Sequence, residues 1–288
     1  MPDAKLIELA CLMEATAPKP GNVYPGKAFD DLCFDDFVQA ARAISNPLAA
    51  LPGIGLGQRI LHAVKETRAA TGTNVNLGIV LLLAPLAAVP TDVPLELGIH
   101  AVLASTTIDD AELVYEAIRL AQPGGLGQVD SQDVAARPTI SLKAAMALAA
   151  DRDRIAEQYV TDYQLVFAAR RELCAQLVRS SSWQHAIVYL HLWILSLWPD
   201  TLIARKCGVT IADEASTRAR SLIARAADMT EVDSTELQNF DTWLRADGHR
   251  RNPGTTADLI AATLYAGLRD GMVQGQMVPF ASLADDAK

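Results

Sequence analysis

The chain has 288 residues, of which 50% are hydrophobic and 20% are charged, and its formal net charge is -9. An acidic chain with no basic run is a poor partner for nucleic acid, because phosphate contacts need a basic face. A few cations that converge locally would still hold a small anionic ligand. The longest apolar run, residues 77–89, is shorter than the roughly 20 residues that cross a bilayer. We therefore expect neither nucleic acid nor a membrane as a partner.

The cysteines and the N-terminus indicate the compartment. Cys11, Cys33, Cys174 and Cys207 lie far apart with no CxxC spacing, which predicts free thiols rather than a zinc site or a disulfide framework. The first residues mix acids and a lysine among the apolar side chains, unlike a signal peptide. We expect a cytoplasmic protein, for which a homodimer is a plausible assembly.

Helical periodicity dominates the chain, and convincing alternating strands are absent. Apolar faces first recur within residues 6–13, 37–44 and 60–69, and then from residue 73. Further helices are predicted over residues 95–104, 107–121, 141–150, 155–179, 183–197, 211–227, 235–247 and 255–270. We expect one all-α domain over residues 1–288, a bundle of about ten to thirteen helices, with a frayed tail over residues 272–288.

A stiff polar loop follows the first helix, Pro18-Lys19-Pro20-Gly21-Asn22. Its two prolines hold Lys19 in an extended segment, and Gly21 permits close approach or a positive φ. A lysine held in this way suits an anion such as phosphate. The alternative is a helix stop followed by an exposed lysine. Glu14, one turn before the stop, could pair with Lys19 or bind a metal ion.

Four acids, Asp30, Asp31, Asp35 and Asp36, precede the second helix. Asp35 or Asp36 could simply cap that helix, and this interpretation is favoured unless another acid converges from elsewhere. Magnesium prefers a few carboxylates together with phosphate oxygens, so the cluster is compatible with a magnesium site.

Two asparagines, Asn74 and Asn76, stand at the start of the most apolar segment. Buried carboxamides must find hydrogen-bond partners or they destabilise the fold. Asn74 could cap the helix, or it could face a ligand beside Gly78, which lies on the same helical face. The free N–H groups of the helix N-terminus would then be available to an anion.

Two further polar segments lie in the second half of the chain. Arg205 and Lys206 are candidate phosphate ligands or ordinary surface cations. In Asn252-Pro253-Gly254-Thr255-Thr256-Ala257-Asp258, the first residues are typical of a helix start. Thr255 and Asp258 then lie one turn apart, where the acid could bind a metal ion or a ribose hydroxyl, or only cap the helix. The histidines show no HExxH or HxH spacing, and we assign none to a metal.

Taken in order, these segments resemble the triphosphoribosyl-dephospho-CoA synthase family. The matching segments span nearly the whole chain: Glu14 with PKPGNV (residues 18–23), TGTNVNLG (71–78), PDTLIARKCG (199–208) and NPGTTADL (252–259). The resemblance implies an all-α transferase that uses ATP and 3'-dephospho-CoA. Such an enzyme joins a triphosphoribosyl unit to the dephospho-CoA ribose and releases adenine, giving a prosthetic-group precursor.

The resemblance also implies roles for particular residues. Lys19, Arg205 and Lys206 become phosphate ligands, and Gly21, Asn74, Asn76, Gly78 and Thr255 join them at the nucleotide. The implied catalytic residues are Glu14, Asp35 and Asp258, and the implied Mg²⁺ ligands are Glu14, Asp36 and Asp258. Loss of adenine builds oxocarbenium-like charge that carboxylates stabilise, Mg²⁺ would neutralise the triphosphate, and an acid near the attacking hydroxyl would act as general base.

The chain departs from the family pattern at one place. Citrate-associated members typically carry Asn-Thr-His-Lys-Gly where this chain has Asn74-Val75-Asn76-Leu77-Gly78. This is typical of a divergent branch, which could transfer a ribosyl phosphate to another acceptor in coenzyme biosynthesis. A nucleotide- or coenzyme-binding protein without turnover is a further alternative, as is a helical scaffold whose amides and acids only cap helices.

Overall fold

The computed structural model describes residues 1, 3–49, 53–125, 127, 129, 131–180, 182–224, 226 and 232–271. The first seven helices in chain order are α1 (Asp3–Thr16), α2 (Phe34–Leu48), α3 (Leu56–Thr71), α4 (Leu77–Ala88), α5 (Leu95–Ala104), α6 (Ile108–Ala121) and α7 (Leu142–Ala147). The next seven are α8 (Arg154–Val160), α9 (Gln164–Arg179), α10 (Trp183–Leu197), α11 (Thr201–Cys207), α12 (Val209–Ile223), α13 (Ser234–Arg245) and α14 (Gly254–Arg269). A four-residue strand, β1 (Ala246–His249), links α13 to the loop before α14.

The all-α fold is confirmed, and the number of helices is slightly above the predicted range for two reasons. The predicted helix over residues 155–179 is two helices, because Asp162 and Tyr163 adopt positive φ angles that interrupt it. A short helix, α11, follows α10 where we predicted only a polar segment; Asp200 caps it by accepting from the backbone N–H groups of Leu202 and Ile203. The predicted frayed tail, and the end of the predicted helix over residues 211–227, lie outside the described residues.

Helices α4 and α14 form the centre of the larger hydrophobic core. Asp258, in the first turns of α14, lies against Gly78 at the start of α4. At the other end, the Arg269 guanidinium donates to the carbonyls of Leu86 and Val89. The two helices therefore run parallel. The guanidinium at the end of α4 complements the helix dipole.

Pro85 lies inside α4 and has no backbone N–H to donate to the carbonyl of Leu81 four residues earlier. The hydroxyl of Tyr159, which is fully buried on α8, donates to that carbonyl over 2.7 Å. Tyr163 donates in the same way to the Leu82 carbonyl over 3.0 Å. The segment around the α8–α9 break thus supplies the hydrogen bonds that hold α4 where the proline weakens it.

A second, smaller apolar cluster joins α10 to α11, α12 and α13, with Leu192, Leu195 and Phe240 buried in it. Of the described helices, none alone is long and apolar enough to span a membrane. The pair α10 and α11, bent by 60° at its junction, passes the same test on length and composition. Most of the α10 side chains are buried inside the protein.

Candidate active site

A cavity of about 1140 Å³ opens where the N-termini of α4 and α14 meet the end of α1. The last turns of α6 and α11 and the loops around residues 123–135 complete its walls. Pockets for a single drug-sized ligand usually enclose roughly 300–1,000 Å³. The cavity is therefore slightly larger than the usual pocket for one such ligand.

Asp258 lies at the innermost wall of this cavity, against the backbone of Gly78. A methyl group at Gly78 would come within 2.0 Å of the Asp258 carboxylate oxygen Oδ2, so only glycine leaves room for that carboxylate. Burial raises the pKa of Asp258 well above its ordinary value, and the nearby Glu14 and Asp200 raise it further. Arg205 is the one cation that lowers this pKa among the causes of the shift, and it does not outweigh burial and the neighbouring acids, so a strongly perturbed acid lines the cavity where a ligand would reach it.

Glu14 reaches the same cavity from the end of α1, but it is already paired. The ammonium of Lys19 lies 2.9 Å from its carboxylate and also donates to the Glu14 carbonyl. Both side chains are buried, and Lys19 is fully inaccessible to solvent. Lys19 therefore does not line the cavity. It neutralises Glu14 from the protein interior.

Four other predicted site residues also lie away from the cavity lining. Gly21, with a φ of 78°, packs against Leu244 and Pro253, and its N–H donates to Asp241. Asp36 accepts from the backbone N–H of Cys33 at the start of α2, and Asp35 is exposed. Thr255 is buried and accepts a hydrogen bond from Thr201. Asp36 thus takes the capping role that the sequence left open, and Gly21 has the positive φ that glycine permits.

The asparagines differ in their hydrogen bonding. Asn74 accepts from the backbone N–H of Leu77, the first residue of α4, and it also lines the cavity; the N-cap of that helix is Asn76, whose side chain makes no capping hydrogen bond. Asn76 is only 4% exposed, and its Nδ2 has no partner in the described part of the chain. Asn22 donates to Asn252 over 2.6 Å, but its Oδ1 lacks a partner there too. Two buried amides of the cavity wall thus keep one donor and one acceptor unused.

Several cations line the cavity in spite of the acidic chain. Arg205 is paired with Asp153 over 2.5 Å. The ammonium of Lys206 makes no ion pair among the described residues, and burial lowers its pKa. The cavity also holds three arginines that we did not single out in the sequence: Arg68, Arg119 and Arg152. The cavity lining therefore matches its acidic side chains with as many basic ones, although the whole chain is acidic, and these cations suit a phosphorylated ligand.

The predicted magnesium ligands are only partly brought together. Glu14 and Asp258 present carboxylates to one cavity, whereas Asp36 does not. Within the described residues, no group of three or more His, Cys, Asp or Glu side chains has the arrangement of a metal site. Mg²⁺ in nucleotide enzymes commonly uses one or two carboxylates together with substrate phosphates. Glu14 and Asp258 fit that smaller set.

The structure adds a histidine to the site that its sequence spacing did not reveal. His249 lies at the end of β1, and its Nδ1 is 2.9 Å from Oδ1 of Asp31. Both residues line the cavity, as does Asn252 just before α14. Asp31 and His249 come from opposite ends of the chain, and of the three residues only Asn252, the first residue of the NPGTTAD segment, belongs to a motif that pointed to the site.

Comparisons with known proteins agree with this site. A solved structure from Archaeoglobus fulgidus, provisionally assigned as a triphosphoribosyl-dephospho-CoA synthase, is 26% identical, covers 82% of this chain and 98% of its own, and superposes with a TM-score of 0.63. No curated protein matches the chain in sequence. Residues 3–276 match the family described as CitG, ATP:dephospho-CoA triphosphoribosyl transferase. Because that match spans nearly the whole chain, the protein belongs to the ATP:dephospho-CoA triphosphoribosyl transferase family.

Proposed function

We propose that this transferase moves the triphosphoribosyl group of ATP to a hydroxyl of 3'-dephospho-CoA and releases adenine. The family assignment supports the reaction class. The chemistry needs a cavity that holds two phosphorylated substrates and a carboxylate near the ribose carbon that loses adenine. The described cavity has the size and the charged groups for that task.

One observation carries the proposal: an acid and two unsatisfied amides converge on a single cavity. Asp258 has its pKa raised by burial, and Asn22 and Asn76 each keep a buried polar atom without a partner. Such groups cost folding free energy unless a ligand satisfies them. An adenine nucleotide has both donors and acceptors on its base and positive charge at its ribose during the reaction. A bound adenine nucleotide would therefore supply the partners that Asp258, Asn22 and Asn76 lack.

The phosphate groups have candidate ligands in the same cavity. We assign Arg205 and Lys206 to the triphosphate, together with the newly located Arg68, Arg119 and Arg152. Mg²⁺, held by Glu14 and Asp258 together with phosphate oxygens, would neutralise the charge on the triphosphate. Asp258 also stabilises the positive charge that develops at the ribose carbon as adenine departs.

A related acceptor hydroxyl is the second candidate. Leu77 lines the cavity at the position where citrate-associated members typically carry lysine. An acceptor with one fewer negatively charged group would suit an apolar side chain there better.

The cytoplasmic location and the homodimer stay predictions. The four cysteines are free thiols, which supports a reducing compartment.

The test is to incubate the purified protein with ATP, Mg²⁺ and dephospho-CoA. We expect free adenine by chromatography, a matching mass gain on the acceptor, and loss of both when EDTA is added. Lys206→Met should raise the KM for ATP, whereas Lys65→Met, at an exposed lysine outside the cavity, should not.

The other outcomes discriminate among the alternatives. Adenine release with only a different acceptor would reject dephospho-CoA and retain the transferase. Nucleotide binding without adenine release would indicate a binding protein. Turnover that persists in EDTA would reject the magnesium assignment.

A further inference from the structure

A histidine–aspartate pair lines the cavity, and neither residue is among the three that carry the proposed function. Nδ1 of His249 is 2.9 Å from Oδ1 of Asp31. A carboxylate only accepts hydrogen bonds, so Nδ1 carries the hydrogen of the neutral ring and Nε2 keeps a free lone pair. Within the described part of the chain, Nε2 makes no hydrogen bond that would occupy that lone pair.

Two neighbouring elements fix the orientation of this imidazole. Its ring meets Phe29 edge to face, with 6.0 Å between the ring centroids. The guanidinium of Arg245 covers Phe29 at 4.7 Å, and the same arginine is bound to Asp241 over 2.9 Å. The ring is thus held from one side by a carboxylate and from another by a supported aromatic side chain.

The segment that carries His249 also contacts the nucleotide end of the cavity. The His249 carbonyl accepts from the backbone N–H of Asn252 over 3.2 Å. Asn252 in turn accepts from Asn22, whose Oδ1 is one of the unsatisfied groups of the wall. His249 therefore lies three residues from Asn252, which binds the Asn22 amide that the proposed nucleotide would contact.

Fold stability gives little reason for this pair. The Asp31 side chain is 64% exposed and that of His249 is 36% exposed. Exposed ion pairs contribute about 0–1 kcal/mol at most. A nitrogen base that is held by a carboxylate at a cavity wall is, by contrast, the arrangement that activates hydroxyl groups in many transferases and hydrolases.

We propose that His249 is the general base that takes the proton of the attacking acceptor hydroxyl, and that Asp31 is its positioning residue. The inference rests on the proposed function. The acceptor O–H bond breaks and its proton passes to Nε2 of His249. The oxygen lone pair forms the bond to the ribose carbon C1' while the C1'–N9 bond of ATP breaks. The electron pair of that bond leaves on adenine, which takes a proton from water, and His249 returns its own to solvent.

The test compares His249→Ala with the wild type in the adenine-release assay. We expect kcat to fall by about 10²–10⁴-fold, while the KM for ATP and the melting temperature stay near the wild-type values. Added imidazole should restore part of the lost rate, because it can occupy the vacated space and accept the proton. Asp31→Asn should lower kcat without changing the KM for ATP.

A second histidine–aspartate pair provides a matched control. Nδ1 of His100 lies 2.8 Å from Asp162, also at the surface, but neither residue lines the cavity. His100→Ala should keep the wild-type kcat. An unchanged kcat in His249→Ala, a rise in KM alone, or a lost rate that imidazole does not restore would overturn the general-base role while the transferase assignment stands. A wild-type protein that releases no adenine with any acceptor would overturn both.

Discussion

Two acids near the start of α14, the buried Asp200 and the half-buried Asp258, show opposite ways of placing a carboxylate in a protein. Asp200 is 2% exposed and accepts four hydrogen bonds, from the N–H groups of Leu202, Ile203 and Thr256 and from the Thr256 hydroxyl. Asp258 lies two residues beyond Thr256, and no donor among the described residues reaches its carboxylate. Burial raises the pKa of both acids, but only at Asp200 do hydrogen bonds oppose the increase.

The difference in hydrogen bonding indicates a structural role for Asp200 and a functional role for Asp258. Asp200 joins α11 to α14, so its cost of burial is offset inside the protein. Asp258 has no such compensation and faces the cavity, so its partner must come from outside. An acid that the fold leaves unsatisfied at a cavity wall is therefore a better indication of an active site than an acid that is only buried.

The largest expected effect comes from exchanging each acid for its amide. Asp258→Asn should reduce adenine release by about 10²–10³-fold, because the charge that stabilises the ribosyl cation is lost. Its free energy of unfolding should be unchanged or higher. Asp200→Asn should instead lower that free energy by on the order of 2–3 kcal/mol, because an amide N–H₂ would face donors. Adenine-release assays and urea denaturation of both variants measure these two effects. If both variants lost the same activity and the same stability, the distinction between the two acids would be wrong.

Gly78→Ala tests whether Asp258 needs the space that the glycine leaves. The added methyl would lie 2.0 Å from Oδ2, so the carboxylate must move. A displacement of about 1 Å in an active site can cost roughly 10²-fold in rate, and we expect a loss of that order. Gly55→Ala is the control, since its methyl would stay 3.4 Å from the nearest side-chain atom, on Asp110. A fully active Gly78→Ala enzyme would contradict the placement of Asp258.

The two asparagines extend the comparison to neutral groups. Asn76→Ala removes a buried amide that has an unused donor, so it should leave stability unchanged but weaken ATP binding by about 3–10-fold. Asn74→Ala removes the acceptor of the first N–H of α4 and should cost about 1 kcal/mol of stability. Calorimetric ATP titration and thermal melting distinguish the two. Equal effects on stability would show that Asn76 is also a structural residue.

The smallest expected effect is a pH dependence of stability. The folded pKa of Asp258 lies above its usual 3.8, so the folded protein keeps a proton that the unfolded chain has lost. Stability therefore falls as pH rises from the unfolded to the folded pKa, by at most about 1.4 kcal/mol per pH unit. The stability gain of Asp258→Asn should be near zero below pH ~4 and grow as pH rises. Urea denaturation of the wild type and Asp258→Asn without Mg²⁺ across this pH range measures that gain. A gain that does not change with pH would exclude a raised pKa of Asp258.

Most helices followed from the period of apolar residues, because burial of one helical face determines that pattern. The apolar period could not predict the break between α8 and α9, because tertiary contacts with α4 impose the left-handed backbone of Asp162 and Tyr163. At the site, Asn76 and Asp258 belong to local sequence motifs, and both line the cavity, whereas their roles there stay predictions. They could not reveal His249 and Asp31, which are 218 residues apart and meet only through folding.

The parallel packing of α4 and α14 sets a limit on how this chain can change its length. Asp258 and Arg269 are eleven residues apart on α14, and so are Gly78 and Val89, which they contact on or just beyond α4. Eleven residues make about three helical turns, so both ends of the pair stay in phase. A single-residue deletion in either helix would rotate one contact by about 100° relative to the other. Insertions and deletions should therefore be tolerated in the loops and selected against within these two helices.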